Sequence, residues 1–299
     1  MTEHDEIIVR VPKGWKGSVT VNAEDMVSLQ HGDETLEHVL SDRDDETYEM
    51  DEDPLGDVPY GSSSADYDPF ASVPADMLAS RVIDGHGVKS VFHETPKENL
   101  NAIRRLVDSL HYAIRQSNPS APLRVIEVGP WVGESTVAIC QGIDNSIGGV
   151  VTCIDTFAGT PNGYLGDVVE KVGGPEKVQE MFLANVGEYY RNPVQLLKMS
   201  SMKAARDLNI GVGQLDLVFL DGCYEPIAIA DDVRVWSELL SQTGILAGQL
   251  CGPNCQKAYE ALKAVLAGLN VQLKFYEGTT VWAVMRSNMV LTEEPAVGT

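Results

Sequence analysis

The sequence predicts an α/β domain: an open, mostly parallel sheet with helices on both faces, preceded by a small β-hairpin and an acidic linker. Three observations predict it. From about residue 95 onward, short apolar runs of strand length alternate with helical periodicity through five β/α units. The first of these runs enters a glycine turn and then a helix, within 123–136 (LRVIEVGPWVGEST). The last two runs, 271–276 and 280–285, are joined by Glu277-Gly278-Thr279 alone. A parallel crossover needs a dozen or more residues, so the last strand must be antiparallel.

Each element has its own signal. In 6–22, Ile7, Val9 and Val11 alternate, Pro12 to Gly17 is turn-rich, and Val19 and Val21 alternate again, which predicts a hairpin. A short helix is expected over 33–40. Residues 41–80 combine an acidic run with Pro54, Pro59, Pro69, Pro74 and three serines at 62–64, a composition that reads as a linker, most clearly up to about residue 76. Thr95-Pro96-Lys97-Glu98 has the form of a capping box with proline at the first helical position. Leu100, Ile103, Leu106, Val107 and Leu110 then mark one helical face, ending before Asn118-Pro119. Strands follow at 125–128, 150–155, 194–198, 215–221 and 244–248, with helices at 135–142, 177–190, 202–208, 227–240 and 253–269 between and after them. Residues 156–175 form a long, glycine-rich connection, the length of a functional loop or lid. The expected organisation is 1–40 (hairpin and short helix), 41–80 (linker), 81–290 (α/β domain) and 291–299 (tail).

Composition narrows the function. The chain has 299 residues and a net charge of −22. Residues 1–80 hold 20 acidic and 4 basic residues, so the acidity is concentrated at the front. There is no basic footprint for nucleic acid, and anionic membrane surfaces are disfavoured on the same ground. No apolar run reaches the length of a membrane span. The opening MTEHDEIIVR has neither a basic n-region nor an apolar h-region, and five scattered cysteines suit a reducing compartment, so a cytoplasmic protein is expected. A two-stranded hairpin is marginal alone. Residues 1–40 are therefore expected to pair with another part of the chain, a second copy or a protein partner.

The glycine turn carries the chemistry. Glycines let the backbone approach a ligand, and the N-terminus of the next helix offers free N–H groups to a polar or anionic group. The dinucleotide fingerprint Gly-x-Gly-x-x-Gly is not met, because Pro130 and Trp131 stand between Gly129 and Gly133. The second strand ends on Asp155, 26 residues after Gly129, where a carboxylate can accept hydrogen bonds from ribose hydroxyls. The fourth strand also ends on an acid, Asp221.

Glu127-x-Gly129-x-x-x-Gly133-x-Ser135-Thr136 resembles motif I of the class I S-adenosylmethionine-dependent methyltransferases. Over about 95–286 the chain is similar to the branch that holds the macrocin-type sugar O-methyltransferases. The shared wording is Ile154-Asp155-Thr156-Phe157-x-Gly159, Ala204-Ala205-x-x-Leu208, Val218 to Gly222 and Gly244 to Gly248. The resemblance implies a Rossmann-like sheet of seven strands with the last antiparallel. It implies S-adenosyl-L-methionine as cofactor and a small polar acceptor, a sugar or metabolite hydroxyl. By resemblance, Glu127 and the Gly129/Gly133 turn hold the methionine part, Asp155 the ribose, Thr156 or Phe157 the adenosine, and Ser200 or Ser201 the adenine, with Trp131, Ser135 and Asp221 also binding the cofactor. A tight turn for the glycines and a helix cap for Asp155 are the plainer alternatives. For Trp131 and Phe157, ordinary packing competes equally.

The acceptor end departs from the family. Relatives read Asp-Gly-x-His-x-Tyr-Glu after the fourth strand, and this chain reads Asp221-Gly222-Cys223-Tyr224-Glu225. Relatives place His-Asp after the fifth strand, where Gln249-Leu250 stand here. For a divalent ion such as magnesium the chain thus offers Asp221 at most, and hard cations want several oxygens. The catalytic candidates are Asp221, Tyr224 and His93; His86 and His111 also precede the first strand, and Tyr224 and Glu225 equally suit a helix start. Cys223, Cys251 and Cys255 follow adjacent strands, but Cys-x-x-x-Cys is not a usual zinc spacing. Two functions stay open: a methyltransferase, or a methyltransferase-like interaction protein tethered through its acidic front.

Overall fold

The computed structural model describes residues 18–21, 26–31, 34–39, 68–83, 85–91, 95–117, 121–143, 148–160, 164–189, 193–250 and 256–289. The chain divides into two units, Met1–Gly61 and Ser62–Thr299. In the first, β1 (Ser18–Val21), β2 (Met26–His31) and β3 (Glu34–Val39) form an antiparallel sheet in that order. β1 and β2 make a hairpin, with Ser18 opposite Gln30. The strand expected over 7–11 lies outside the described residues. The helix expected over 33–40 is corrected to β3, which pairs with β2 from His31–Glu34 to Met26–Val39. Cross-strand pairing overrides the weak local helical preference of ETLEHV.

The second unit begins earlier than its sequence pattern suggests. Phe70, Val73 and Met77 are buried, so the end of the proline-rich stretch is anchored to this unit by its few apolar side chains. Lys89 sits over the Phe70 ring at 5.0 Å and bonds Asp68 at 2.7 Å. β4 (Leu78–Ile83) and β5 (His86–Val91) then form an antiparallel hairpin.

The helices and strands that follow are α1 (Lys97–Ser117), β6 (Leu123–Val128), α2 (Glu134–Gly142), β7 (Gly149–Ile154), α3 (Tyr164–Val172), α4 (Pro175–Val186), β8 (Val194–Leu197), α5 (Ser201–Asp207), β9 (Leu215–Leu220), α6 (Pro226–Leu239), β10 (Leu240–Gln249), α7 (Gln256–Gly268) and β11 (Val281–Met285). They build a sheet of order β11-β10-β9-β6-β7-β8. β11 is antiparallel to β10, and the other pairings are parallel. Six strands stand where seven are expected. Residues 271–276 make only the isolated bridge Phe275–Trp282, with Val271 and Leu273 packed against the core and Phe275 and Tyr276 exposed. The 156–175 connection is not loop throughout but contains α3, whose Val168, Val169 and Val172 are buried.

Alternation along β6 divides the interior. Ile126 and Val128 share a core with Val233 and Trp236 of α6 and Leu262 and Leu266 of α7. Glu127 points to the other face and meets Thr136 of α2. β9 is buried at every position, as a central parallel strand covered on both faces must be. No helix among the described residues is long and apolar enough to cross a membrane.

Candidate active site

The chain leaves β6 for β7 and β8 on one side, and β9, β10 and β11 lie on the other. The strand order therefore reverses between β6 and β9, and the carboxyl ends of these strands open a crevice suited to a ligand. A cleft lies there, lined by Gly129, Trp131, Glu134, Ser135, Asp221 and Tyr224 among others.

Gly129 opens the turn at φ +78°, and a Cβ on it would overlap Gly222 in the loop after β9. The two loops thus pass backbone on backbone, with Asp221 N–H donating to the Val128 carbonyl at 2.9 Å. Gly133, at φ +94°, is the N-cap of α2. Between them Trp131 holds φ +49°, a conformation that L side chains rarely adopt. Asp155 supports it: the Trp131 N–H donates to Oδ2 at 3.2 Å and the Phe157 N–H to Oδ1 at 2.8 Å. Phe157 also has positive φ, is fully buried and packs on Phe182 at 5.7 Å between centroids.

The acids of the site are unevenly partnered. Glu127 is fully buried; Thr136 and Cys153 donate to Oε2 at 2.6 and 3.3 Å, and Oε1 has no conventional hydrogen bond. Burial raises its pKa, with Ser135, Thr136 and Cys153 holding the rise back and Asp155 adding to it. Burial also raises Asp155 to about 6 against its backbone N–H donors, although part of its surface stays accessible. Asp221 is pushed well up by burial, opposed by hydrogen bonds from Tyr224 and Gln249 and reinforced by the Glu127 and Glu134 carboxylates. Among the described residues, Glu127, Asp155 and Asp221 make no ion pair, whereas Glu134 bonds Arg81 Nε at 2.9 Å.

Asp221 is held from two sides. The Tyr224 hydroxyl donates to Oδ1 at 2.7 Å and the Gln249 amide to Oδ2 at 2.9 Å. That set does not fit a divalent cation, which wants several oxygen ligands. No group of three or more His, Cys, Asp or Glu able to hold a metal occurs among the described residues.

The remaining expected site residues are scattered. Thr156 is exposed beside Asp155. The Ser201 hydroxyl faces away, accepting from Trp236 Nε1 at 2.8 Å and donating to Asp232. His93, Cys251 and Cys255 lie outside the described residues. His86 bonds the Asn185 carbonyl at 2.6 Å, on the β5 side. The capping box over Thr95–Glu98 is not formed as expected, because Glu134 accepts the Thr95 N–H at 2.8 Å. Four polar residues of the site escaped the sequence reading: Arg81, Asn99, Thr95 as a partner of Glu134, and Glu134 itself. Of these, only Arg81 had a usable signal, the hairpin-forming Asp-Gly pair at 84–85 that places β4.

Residues 126–249 match the family described as "Methyltransferase domain". No curated protein matches the sequence. Among solved structures, the O-methyltransferase NovP is 15% identical, covering 66% of this chain and 84% of its own, at a TM-score of 0.49. A protein from Corynebacterium glutamicum is 14% identical over 65% and 83%, at 0.46. An O-methyltransferase from Bacillus cereus, solved in complex with SAH, is 11% identical over 64% and 83%, at 0.41. Residues 126–249 thus match a methyltransferase-domain family, and the strand order and the glycine turn after β6 fit a Rossmann-like methyltransferase fold.

Proposed function

We propose that the domain binds S-adenosylmethionine and methylates an oxygen of a small polar acceptor. The observation that carries this reading is the cleft at the strand reversal, lined by Gly129, Trp131, Glu134, Ser135 and Asp221, with Glu127 near the end of β6 and Asp155 just after β7. Such a site suits a ligand bearing a sulfonium and an ammonium. The buried Glu127 carboxyl and the accessible edge of Asp155 fit the same ligand.

In this reading Glu127, the Gly129–Gly133 turn and Ser135 hold the methionine part. Asp155 takes the ribose, with Thr156, Phe157 and Trp131 beside the nucleoside. Ser201 drops out of the set, since its hydroxyl is committed to α6. The cofactor supplies a methyl group already activated on its sulfonium, so orientation does most of the work. Asp221 and Tyr224 face the acceptor, and Asp221 takes the proton its hydroxyl releases. Calorimetric titration with S-adenosylhomocysteine tests the reading: micromolar binding that Asp155→Ala abolishes is expected.

A second reading is an interaction scaffold on the same fold. It is favoured by Asp155 already accepting two backbone N–H groups and by the bulky Trp131 within the glycine turn. Well-folded protein that takes up no S-adenosylhomocysteine would decide for it.

A further inference from the structure

We propose that the acceptor site is metal-free, with a hydrogen-bonded amide chain from Thr280 through Asn99 and Gln249 standing on Asp221 in place of a divalent cation. The inference rests on the methyltransferase reading above for the word acceptor, but its geometry stands alone.

The direction of the chain is fixed at one end. The Thr280 backbone N–H can only donate, and it donates to Asn99 Oδ1 at 3.2 Å. Asn99 must then turn its Nδ2 inward, where it donates to Thr280 Oγ1 at 2.8 Å and to Gln249 Oε1 at 3.3 Å. Gln249 is thereby oriented in turn, its oxygen toward Asn99 and its Nε2 toward Asp221 Oδ2 at 2.9 Å. On the other carboxylate oxygen the Tyr224 hydroxyl donates at 2.7 Å. Asn99 and Gln249 are 2% and 6% exposed, so water cannot readily replace a lost partner.

This arrangement repels a cation. To reach Asp221, an ion would meet the N–H₂ end of Gln249. Reversing that amide would set its N–H₂ against the N–H₂ of Asn99, donor facing donor, and Asn99 cannot reverse without abandoning the Thr280 N–H. A backbone group just before β11 thus decides which atom faces Asp221. Asn99 is a positioning residue here, since it acts only through Gln249.

The test uses Mn²⁺ as the probe, followed by electron paramagnetic resonance on the full chain, with circular dichroism to confirm folding. Wild-type protein is expected to bind no stoichiometric Mn²⁺. In Asn99→Asp, both oxygens of the new side chain accept, so Gln249 turns its oxygen toward Asp221 and one equivalent of Mn²⁺ should bind. Adding Asp221→Asn should abolish that gain. Gln249→Glu supplies an oxygen ligand directly and should also gain one Asp221-dependent equivalent, which keeps the test open if Asn99→Asp does not fold. One equivalent bound by wild type and lost in Asp221→Asn overturns the proposal, as does a folded pair of variants that gains nothing. Titration with S-adenosylhomocysteine on the same samples separates the two ideas. Its failure sinks the methyltransferase reading and leaves the Mn²⁺ result standing, whereas cofactor binding together with wild-type Mn²⁺ uptake sinks only this inference.

Discussion

Arg81 Nε lies 2.9 Å from Glu134 Oε1, joining β4 to the first turn of α2 at the edge of the cleft. The Arg81 guanidinium also donates to the Thr95 carbonyl, and the Thr95 N–H returns to Glu134 Oε2 at 2.8 Å. Three segments distant in sequence are thus closed into one ring around a carboxylate that lines the site. With side chains 17% and 5% exposed, the pair is mostly out of water.

Removing one partner should therefore cost more than removing both. Arg81→Ala leaves the buried Glu134 carboxylate without its guanidinium, and a loss of about 3–5 kcal/mol is expected in chemical denaturation. Arg81→Ala with Glu134→Gln should recover much of it. A single variant within about 0.5 kcal/mol of wild type, the range of an ordinary surface substitution, would show that the pair is solvated in solution.

Two glycines separate backbone strain from close approach. Gly129 and Gly148 have similar φ, +78° and +84°, but only Gly129 has backbone within reach of an added Cβ. Gly148→Ala should cost about 1–2 kcal/mol, from the left-handed conformation alone. Gly129→Ala should cost more and should also lower cofactor affinity, because the loops after β6 and β9 must separate. Equal losses in urea melts would mean the loops part freely.

The acids of the body set a pH dependence of known sign. Asp155 and Asp232 are each raised to about 6 from an ordinary value of 3.8, chiefly by burial. The folded state then binds protons more tightly than the unfolded one between these values, so their contribution to stability is present at low pH and lost as pH rises through about 6. Asp155→Asn and Asp232→Asn should each flatten the decline in denaturation midpoint from pH 4 to 6. A cationic ligand reverses the sense for Asp155, so S-adenosylmethionine affinity should rise over the same range. A midpoint that falls equally in wild type and both variants would assign the slope to other groups.

The sheet was legible because β9 is buried at every position and β6 at all but Arg124, which leaves short, mostly apolar runs of strand length in the sequence. Gly129, Asp155 and Asp221 were legible because strand ends and glycine turns sit at fixed intervals in such a sheet. The Asn99–Gln249 contact was not, since it joins residues 150 positions apart and depends on which way an amide points. β3 is not legible in sequence because its pattern suits a short helix until β2 lies beside it, nor is α3, whose nine residues stand between glycine-rich flanks.

Asn185, on α4, offers the last prediction. Its amide donates to the Lys89 carbonyl and to the Val132 carbonyl, each at 2.7 Å, while its oxygen accepts the Lys89 N–H at 2.8 Å. One side chain, 3% exposed, thereby ties β5 to the glycine turn. Asn185→Ala leaves these backbone groups without their partner, at about 1–3 kcal/mol for each one left buried. Asn185→Asp restores the bond from Lys89 N–H but puts a carboxylate against two carbonyls, so it should be no better. If the tie holds the turn in its ligand-ready shape, hydrogen exchange at 132–135 should quicken in the Ala variant, and S-adenosylhomocysteine affinity should fall with it. Faster exchange with unchanged affinity would separate the turn's rigidity from its role in binding.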